Sequence, residues 1–192
     1  MLQIVLIGGG GHCRAVIDVI EQEGRFEIAG IIDQPERIGS SVLDYDIIGT
    51  DAQLERFSRN YRYALVTVGQ IVSPKVRVNL FEQAKKAGFI LPCIVSPRAY
   101  VSRYATIGEG TVIMHDALIN ANVDIGNNCI INTKALIEHD TRIEAHCHIA
   151  TGALINGGVR VKQGSFIGSG AVSKEGITIE ENSVIKAGSV VR

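Results

Sequence analysis

Tryptophan is absent, and tyrosine and phenylalanine supply only five residues each of the 192. Large aromatic side chains therefore do not fill the interior. Glycine, isoleucine, valine and alanine are abundant instead, a composition suited to a regular, repeating core. Charge of one sign is also lacking: 19 basic residues against 20 acidic ones leave a net charge of −1. No basic field is present to hold nucleic acid or an anionic membrane. No apolar run approaches the ~20 residues that cross a bilayer as a helix. "MLQIVLIGGG" is apolar but lacks a basic leader and breaks into glycine, unlike a secretory signal, so a cytoplasmic setting is expected. The four cysteines (Cys13, Cys93, Cys129, Cys147) form no CxxC pair and read as reduced thiols.

The chain is long enough for one or two small domains with real cores, and its rhythm divides it in two. Over residues 1–92, apolar strands alternate with helical stretches. "QIVLIG" predicts a strand, and "GGGH" leads into a helix over 13–22 with Ala15, Val16, Val19 and Ile20 on one face. "EIAGIID" predicts a second strand ending at Asp33, 51–59 a short helix, and "YALVTVG" a third strand ending at Gly69. Pro74 opens a further helix that Gly88 stops. This alternation implies an α/β domain, a small parallel sheet resembling half of a Rossmann fold.

Over residues 93–192 the period becomes six. Of the seventeen positions at six-residue steps from Val95 to Val191, sixteen are Ile or Val. The position four residues later is small or β-branched, as at Ala99, Ala117, Cys129, Ala135, Cys147 and Ala153. This is the hexapeptide repeat of a parallel β-helix. Each hexad makes one flat face, and three make a triangular coil of eighteen residues. First and fifth positions point inward, the sixth points outward, and the second to fourth round the corner. Residues eighteen apart stack, with coils about 4.8 Å apart. Ser173 is the single polar residue at a first position, and the register recovers at Ile179, so a local bow without an insertion is expected.

This ruler sorts the histidines of "IEHDTRIEAHCHIA". His139 and Asp140 are third and fourth in their hexad, on a corner, with Ala121 and Gly157 stacked on either side of His139. His146 is fourth and His148 sixth in the next hexad, so both are expected to point outward, and His146 to be surface. His115, another third position, is a groove or surface residue. The corner reads equally as solvated decoration or as a base whose tautomer Asp140 or Glu138 fixes, with open space for a ligand. A metal site is disfavoured because the three imidazoles do not converge. A prism with flat faces also packs readily against copies of itself, and threefold closure would bury outward residues between prisms.

"GGGGHC" joins the first strand to the first helix, where backbone N–H groups and the helix dipole favour an anion. Gly8 and Gly10 fit a dinucleotide GxGxxG, but Cys13 stands where its third glycine belongs. With Asp33 ending the second strand, one nucleotide rather than a dinucleotide fits a domain of this size.

"IGGGGH", the hexapeptide prism and "NTKALIEHD…CHIATGALINGGV…GSFIGSGA" together resemble the sugar acetyltransferases of the left-handed β-helix class. More narrowly, they resemble the bacillosamine and perosamine N-acetyltransferases and the sialic-acid O-acetyltransferases. The resemblance implies a left-handed coil, acetyl-CoA as cosubstrate without a metal, a homotrimer, and active sites between adjacent subunits. It further implies His139 as general base and Asp140 as the carboxylate that orients it. Gly9, Gly10, Gly11, His12 and Asp33 would hold the nucleotide of the acceptor, and Asn132 would be a polar acceptor-site residue. His148 would lie near the thioester, with Gly157 and Gly168 lining the pantetheine groove. Two features depart from the family: "GHC" replaces the frequent "GHG", and "GSVVR" stands where a glycine-proline tail often follows. The expected reaction is acetyl transfer to the amine of a nucleotide-linked amino-deoxy sugar, of the UDP-4-amino type, for surface glycans. O-acetylation of sialic acid or a related nonulosonate, a non-catalytic trimeric scaffold, and a zinc hydratase are the competing readings.

Overall fold

The computed structural model describes Met1–Arg192 and contains two compact units. The first comprises Met1–Gly69 and Lys75–Pro92, and the second Gln70–Pro74 and Cys93–Arg192. The segment Gln70–Pro74 thus belongs to the second unit although it lies inside the sequence of the first.

The first unit is a five-stranded sheet in the order β3-β4-β2-β1-β5, from β1 (Leu2–Ile7), β2 (Phe26–Asp33), β3 (Ser41–Val42), β4 (Tyr45–Thr50) and β5 (Tyr63–Val66). All pairings are parallel except β3 with β4. β1 lies between β2 and β5 and is buried on both faces: Ile4, Val5, Leu6 and Ile7 are all 0 % exposed. Strands in that position read as unbroken apolar runs. α1 (Gly11–Glu23) buries Cys13, Val16, Ile17, Val19 and Ile20, whereas Ala15 faces solvent, one position off the expected stripe. Gly24, with φ 70°, ends α1 by donating to Ile20 O. α3 (Lys75–Lys86) places Leu80, Phe81 and Ala84 in a core with Val5, Ile7, Ile32 and Val66. The expected helix over 51–59 is a 3₁₀ turn, Asp51–Gln53, followed by the short α2 (Leu54–Ser58). β5 stops at Val66, three residues before the expected end at Gly69. The pair β3–β4 was not anticipated.

The second unit is a left-handed parallel β-helix of two-residue strands in three sheets of six, five and six strands. Every strand pairs with the one eighteen residues on, as Leu118 with Leu136 and Leu136 with Leu154. The first-position aliphatics form one continuous buried column from Ile113 to Ile179. The corners follow one backbone rule. Gly110, Asp116, Asn122, Asn128, Lys134, Asp140, His146, Gly152, Gly158 and Gly164 recur every six residues, all at φ between 55° and 73°. Glycine, Asn and Asp tolerate this left-handed region best, which explains what the fourth positions contain.

Polar groups inside the prism are satisfied by the same repeat. Thr111, Thr141 and Ser165 donate their hydroxyls to carbonyls fifteen residues on, at Gly126, Asn156 and Glu180. The Cys129 and Cys147 thiols do the same to Glu144 O and Lys162 O. Contact with Cys129 and burial push the Cys147 thiol up, so it is an internal strut rather than a nucleophile. Ser173 stays inside, 2 % exposed, where a bow outward was expected. Its hydroxyl accepts the Asn156 N–H at 2.9 Å and its carbonyl accepts Asn156 Nδ2 at 2.6 Å, so the defect exchanges one ladder bond for two.

Lys134 occupies a left-handed corner at φ 59° with an exposed side chain. Lys134→Asn is expected to raise stability by about 1 kcal/mol in denaturant unfolding, because Asn accepts this backbone more readily.

Candidate active site

His139 and Asp140 leave the strand Leu136–Ile137 at a prism corner. The corner backbone turns Asp140 through φ 61°, which brings its carboxylate back to the preceding ring. His139 Nδ1 and Asp140 Oδ2 are 2.8 Å apart, with side chains 63 % and 56 % exposed. A carboxylate only accepts, so Nδ1 carries the proton and Nε2 is left to take one. Glu138 does not compete: its Oε2 accepts from Asn120 Nδ2 at 2.8 Å. The hydrogen bond to Asp140 raises the His139 pKa above its ordinary value, helped by the charges of Asp140 and Glu138.

Asn122, one coil before Asp140, was missed in the sequence. Its Nδ2 donates to Asp140 Oδ1 at 2.7 Å, fixing the second oxygen, and it is the largest cause of the lowered Asp140 pKa. The eighteen-residue stack that placed Ala121 beside His139 would have found it. On the other side, a Cβ on Gly157 would lie 2.8 Å from His139 Cε1 and 2.9 Å from Nε2. The ring leans over this glycine, so the space expected there is already used by the imidazole. Gly168 is buried, and a Cβ there would meet Ala187 N at 2.5 Å. Stacking of the next coil accounts for Gly168 without a ligand.

The expectation that His146 is a surface residue fails, and His148, though outside the prism core as expected, is buried as well. His146 and His148 are 9 % and 8 % exposed. Both belong outside the prism core, as the register requires, but Gln70 lies against that face. Gln70 Nε2 donates to His146 O at 2.9 Å, and His148 Nδ1 lies 2.5 Å from Gln70 O. The other His148 nitrogen meets Asn132 Nδ2 at 3.2 Å. A neutral imidazole has a single N–H, and Gln70 O takes it. His148 in this state has no donor left with which to polarise a thioester carbonyl. His146 Nδ1 pairs with Asn128 Nδ2 at 3.0 Å, so it is structural rather than surface. His115, partly buried, contacts Ser96 Oγ at 2.7 Å through Nδ1.

In the first unit, the glycine loop leaves β1 where the strand order reverses between β2 and β5, the switch point at which open α/β sheets bind ligands. Thr67 Oγ1 donates to Gly8 O at 2.6 Å, and Gly9 N donates to Asp33 Oδ2 at 2.9 Å. Asp33 and the loop are therefore brought together. Arg37, unnoticed in the sequence, completes this edge with Nη1 at 2.6 Å from Asp33 Oδ2 and 2.9 Å from Gly9 O. A Cβ on Gly9 would fall 2.8 Å from Asp33 Oδ2, whereas Gly10 and Gly11 have nothing within 4 Å and open outward at the start of α1. His12 lies in the first turn of that helix, partly buried. Cys13 is buried there and its thiol is pushed up to about 11, which removes it from acid–base chemistry.

Residues 3–84 match the family described as PglD N-terminal domain, and residues 104–139 the bacterial transferase hexapeptide (six repeats). No curated protein sequence matches the chain. Among solved structures, the chain is similar to perosamine N-acetyltransferase from Caulobacter crescentus, in complex with CoA and GDP-perosamine. That match has 34 % identity and a TM-score of 0.93, over 99 % of this chain and 88 % of that one. The acetyltransferase domain of PglB from Neisseria gonorrhoeae, in complex with acetyl coenzyme A, is 31 % identical with a TM-score of 0.89, over 98 % and 92 %. WeeI from Acinetobacter baumannii AYE, at 19 % identity and a TM-score of 0.76, shares the fold.

The raised pKa of His139 is a local effect of Asp140 and is testable without substrate. In an NMR titration of the imidazole, the His139 midpoint is expected to lie above the ordinary histidine value. Asp140→Asn removes the charge that favours the imidazolium, so the midpoint moves to lower pH.

Proposed function

The chain belongs to the sugar acetyltransferase family of hexapeptide enzymes, and from that premise we propose that it acetylates the amine of a nucleotide-linked amino sugar with acetyl-CoA, His139 acting as base. The observation that carries the reading is the His139–Asp140–Asn122 arrangement. It holds an exposed imidazole in the tautomer that leaves Nε2 basic. As the amine attacks the thioester carbonyl, Nε2 takes the proton that the forming amide nitrogen must lose. The tetrahedral adduct then collapses with cleavage of its C–S bond, and the imidazolium returns its proton to the departing sulfur, which leaves as the coenzyme thiol. Asp140 stabilises the imidazolium that forms, as its effect on the His139 pKa indicates. The Gly9–Gly11 loop with His12, Asp33 and Arg37 is assigned to the nucleotide. UDP is the expected carrier, with GDP beside it, since a GDP-sugar occupies the Caulobacter relative. The pantetheine arm is assigned to the prism corner beside the His139 ring, which fills the space over Gly157 and leaves Gly158 uncrowded. No helix is long and apolar enough to cross a membrane, and a cytoplasmic setting suits both acetyl-CoA and nucleotide sugars.

A homotrimer is part of this proposal. The three prism faces differ in what their sixth positions present. One carries Asp124, Arg142 and Arg160 and is built for water. Another carries Leu118, Leu136, Leu154 and Val172, flanked by exposed Tyr100 and Val190. An apolar ladder of this kind marks an interface, and threefold closure on it is the natural solution for identical prisms. The ladder is bounded by Asn132 at one corner and His139 at the other. Closure therefore puts Asn132 of one copy and His139 of the next on the rim of a shared groove.

Incubation with acetyl-CoA and panels of UDP- and GDP-amino sugars, with sialic acid as the hydroxyl acceptor, is expected to give N-acetyl product from a nucleotide amino sugar. His139→Ala should lower kcat by roughly 10²–10⁴-fold. Transfer only to hydroxyl acceptors, or full turnover by His139→Ala, would refute the proposal. Separately, Leu136→Asp is expected to turn a trimer into monomers in analytical ultracentrifugation, with loss of activity. A trimer unchanged by Leu136→Asp would place the interface elsewhere.

A further inference from the structure

The hydrogen bonds around His148 can be read in one sense only. Gln70 O is a carbonyl and accepts, so the Nδ1 atom 2.5 Å away carries the proton. Nε2 of the neutral ring is then an acceptor, and Asn132 presents Nδ2 to it at 3.2 Å. The orientation of Asn132 has independent support. Thr133 N–H points at Asn132 Oδ1 at 2.8 Å, which turns the amide nitrogen toward His148. Donation therefore runs from Asn132 to His148 to Gln70.

The far end of this series is anchored. The Gln70 side chain is buried, and Nε2 donates to His146 O at 2.9 Å and to Gly164 O at 3.2 Å. These carbonyls belong to stacked corner residues eighteen positions apart, both in the left-handed conformation. The Phe166 ring, one coil on from His148, packs edge-on at 5.2 Å between centroids. The imidazole is thus held at Nδ1, at Nε2 and across one face. Such a ring transmits geometry well and moves little.

We infer that His148 is a positioning residue: fixed as the Nδ1–H tautomer by the Gln70 carbonyl, it aims the Asn132 amide into the acceptor site and makes no contact with the thioester. This rests on the assignment of Asn132 to the acceptor site. The second Nδ2 hydrogen of Asn132 is then presented in a fixed direction. An N–H donor needs an acceptor, so the matching substrate group is a sugar hydroxyl oxygen or the lone pair of the neutral amine rather than an ammonium. Gln70 thereby becomes part of the acceptor site through two hydrogen bonds, while its own side-chain amide donates to His146 O and Gly164 O.

Two measurements test this. The first is ¹⁵N NMR of the His148 ring in the intact protein, without substrate. A protonated Nδ1 and bare Nε2 are expected, and a protonated Nε2 would overturn the inference. The second is a double-mutant cycle. His148→Asn keeps a donor near Gln70 but falls short of Asn132, whereas His148→Gln reaches about as far as Nε2 with an acceptor oxygen. His148→Asn and Asn132→Ala are each expected to lower kcat about tenfold to a hundredfold, with little change in the acetyl-CoA KM. The double variant should be no slower than Asn132→Ala alone, and His148→Gln should recover part of the loss. Multiplying losses, or a raised acetyl-CoA KM at unchanged kcat, would show a direct thioester contact and refute the relay. If the unaltered protein transfers no acetyl group to any amino sugar, the proposed activity fails, while the tautomer still decides the relay.

Discussion

The backbone of the prism must turn a corner every six residues through a left-handed conformation, and successive coils must stack in register to pair their amides. Most of the rest depends on these two demands. The turn admits Gly, Asn and Asp readily, so it places Asp140 on a corner and folds its carboxylate back onto His139. The stack puts Asn122 beneath that carboxylate and Gly157 against the imidazole. The His139–Asp140–Asn122 arrangement is thus assembled from residues whose positions are dictated by the repeat, with no loop of its own to order.

The same stack explains why buried polar atoms at one inner position cost little. Hydroxyls and thiols there each find a carbonyl fifteen residues on. It also explains the differentiation of the outer faces. Sixth positions are free to vary because they do not enter the core, and they have diverged into a charged face, an apolar one and one against which Gln70 lies. His139 sits on the corner that ends the apolar face, so the proposed base and the proposed interface are adjacent.

Much of this was legible in the sequence because a six-residue period is a local signal. The first-position column and the outward placement of His139 follow from counting, and the glycine loop with Asp33 follows from the strand–helix alternation of the first unit. Burial of His146 and His148 does not, because Gln70 is 76 and 78 residues away in the chain and no period connects them. Asn122 lay within reach of the same count, one coil before Asp140. The β3–β4 pair escaped notice because β3 has only two residues and β4 buries just Ile47 and Gly49 of its six. Arg37 escaped because a 3₁₀ turn, not a helix or strand, delivers it to Asp33.

The central claim is that His139 Nε2 is the base for an amine on a nucleotide-linked sugar. A crystal structure of the protein with CoA and an amino sugar that it acetylates tests this most directly. The account predicts the sugar amine within about 3 Å of a His139 Nε2, with Nδ1 still on Asp140. An amine bound away from His139, with another side chain at that distance, would contradict it.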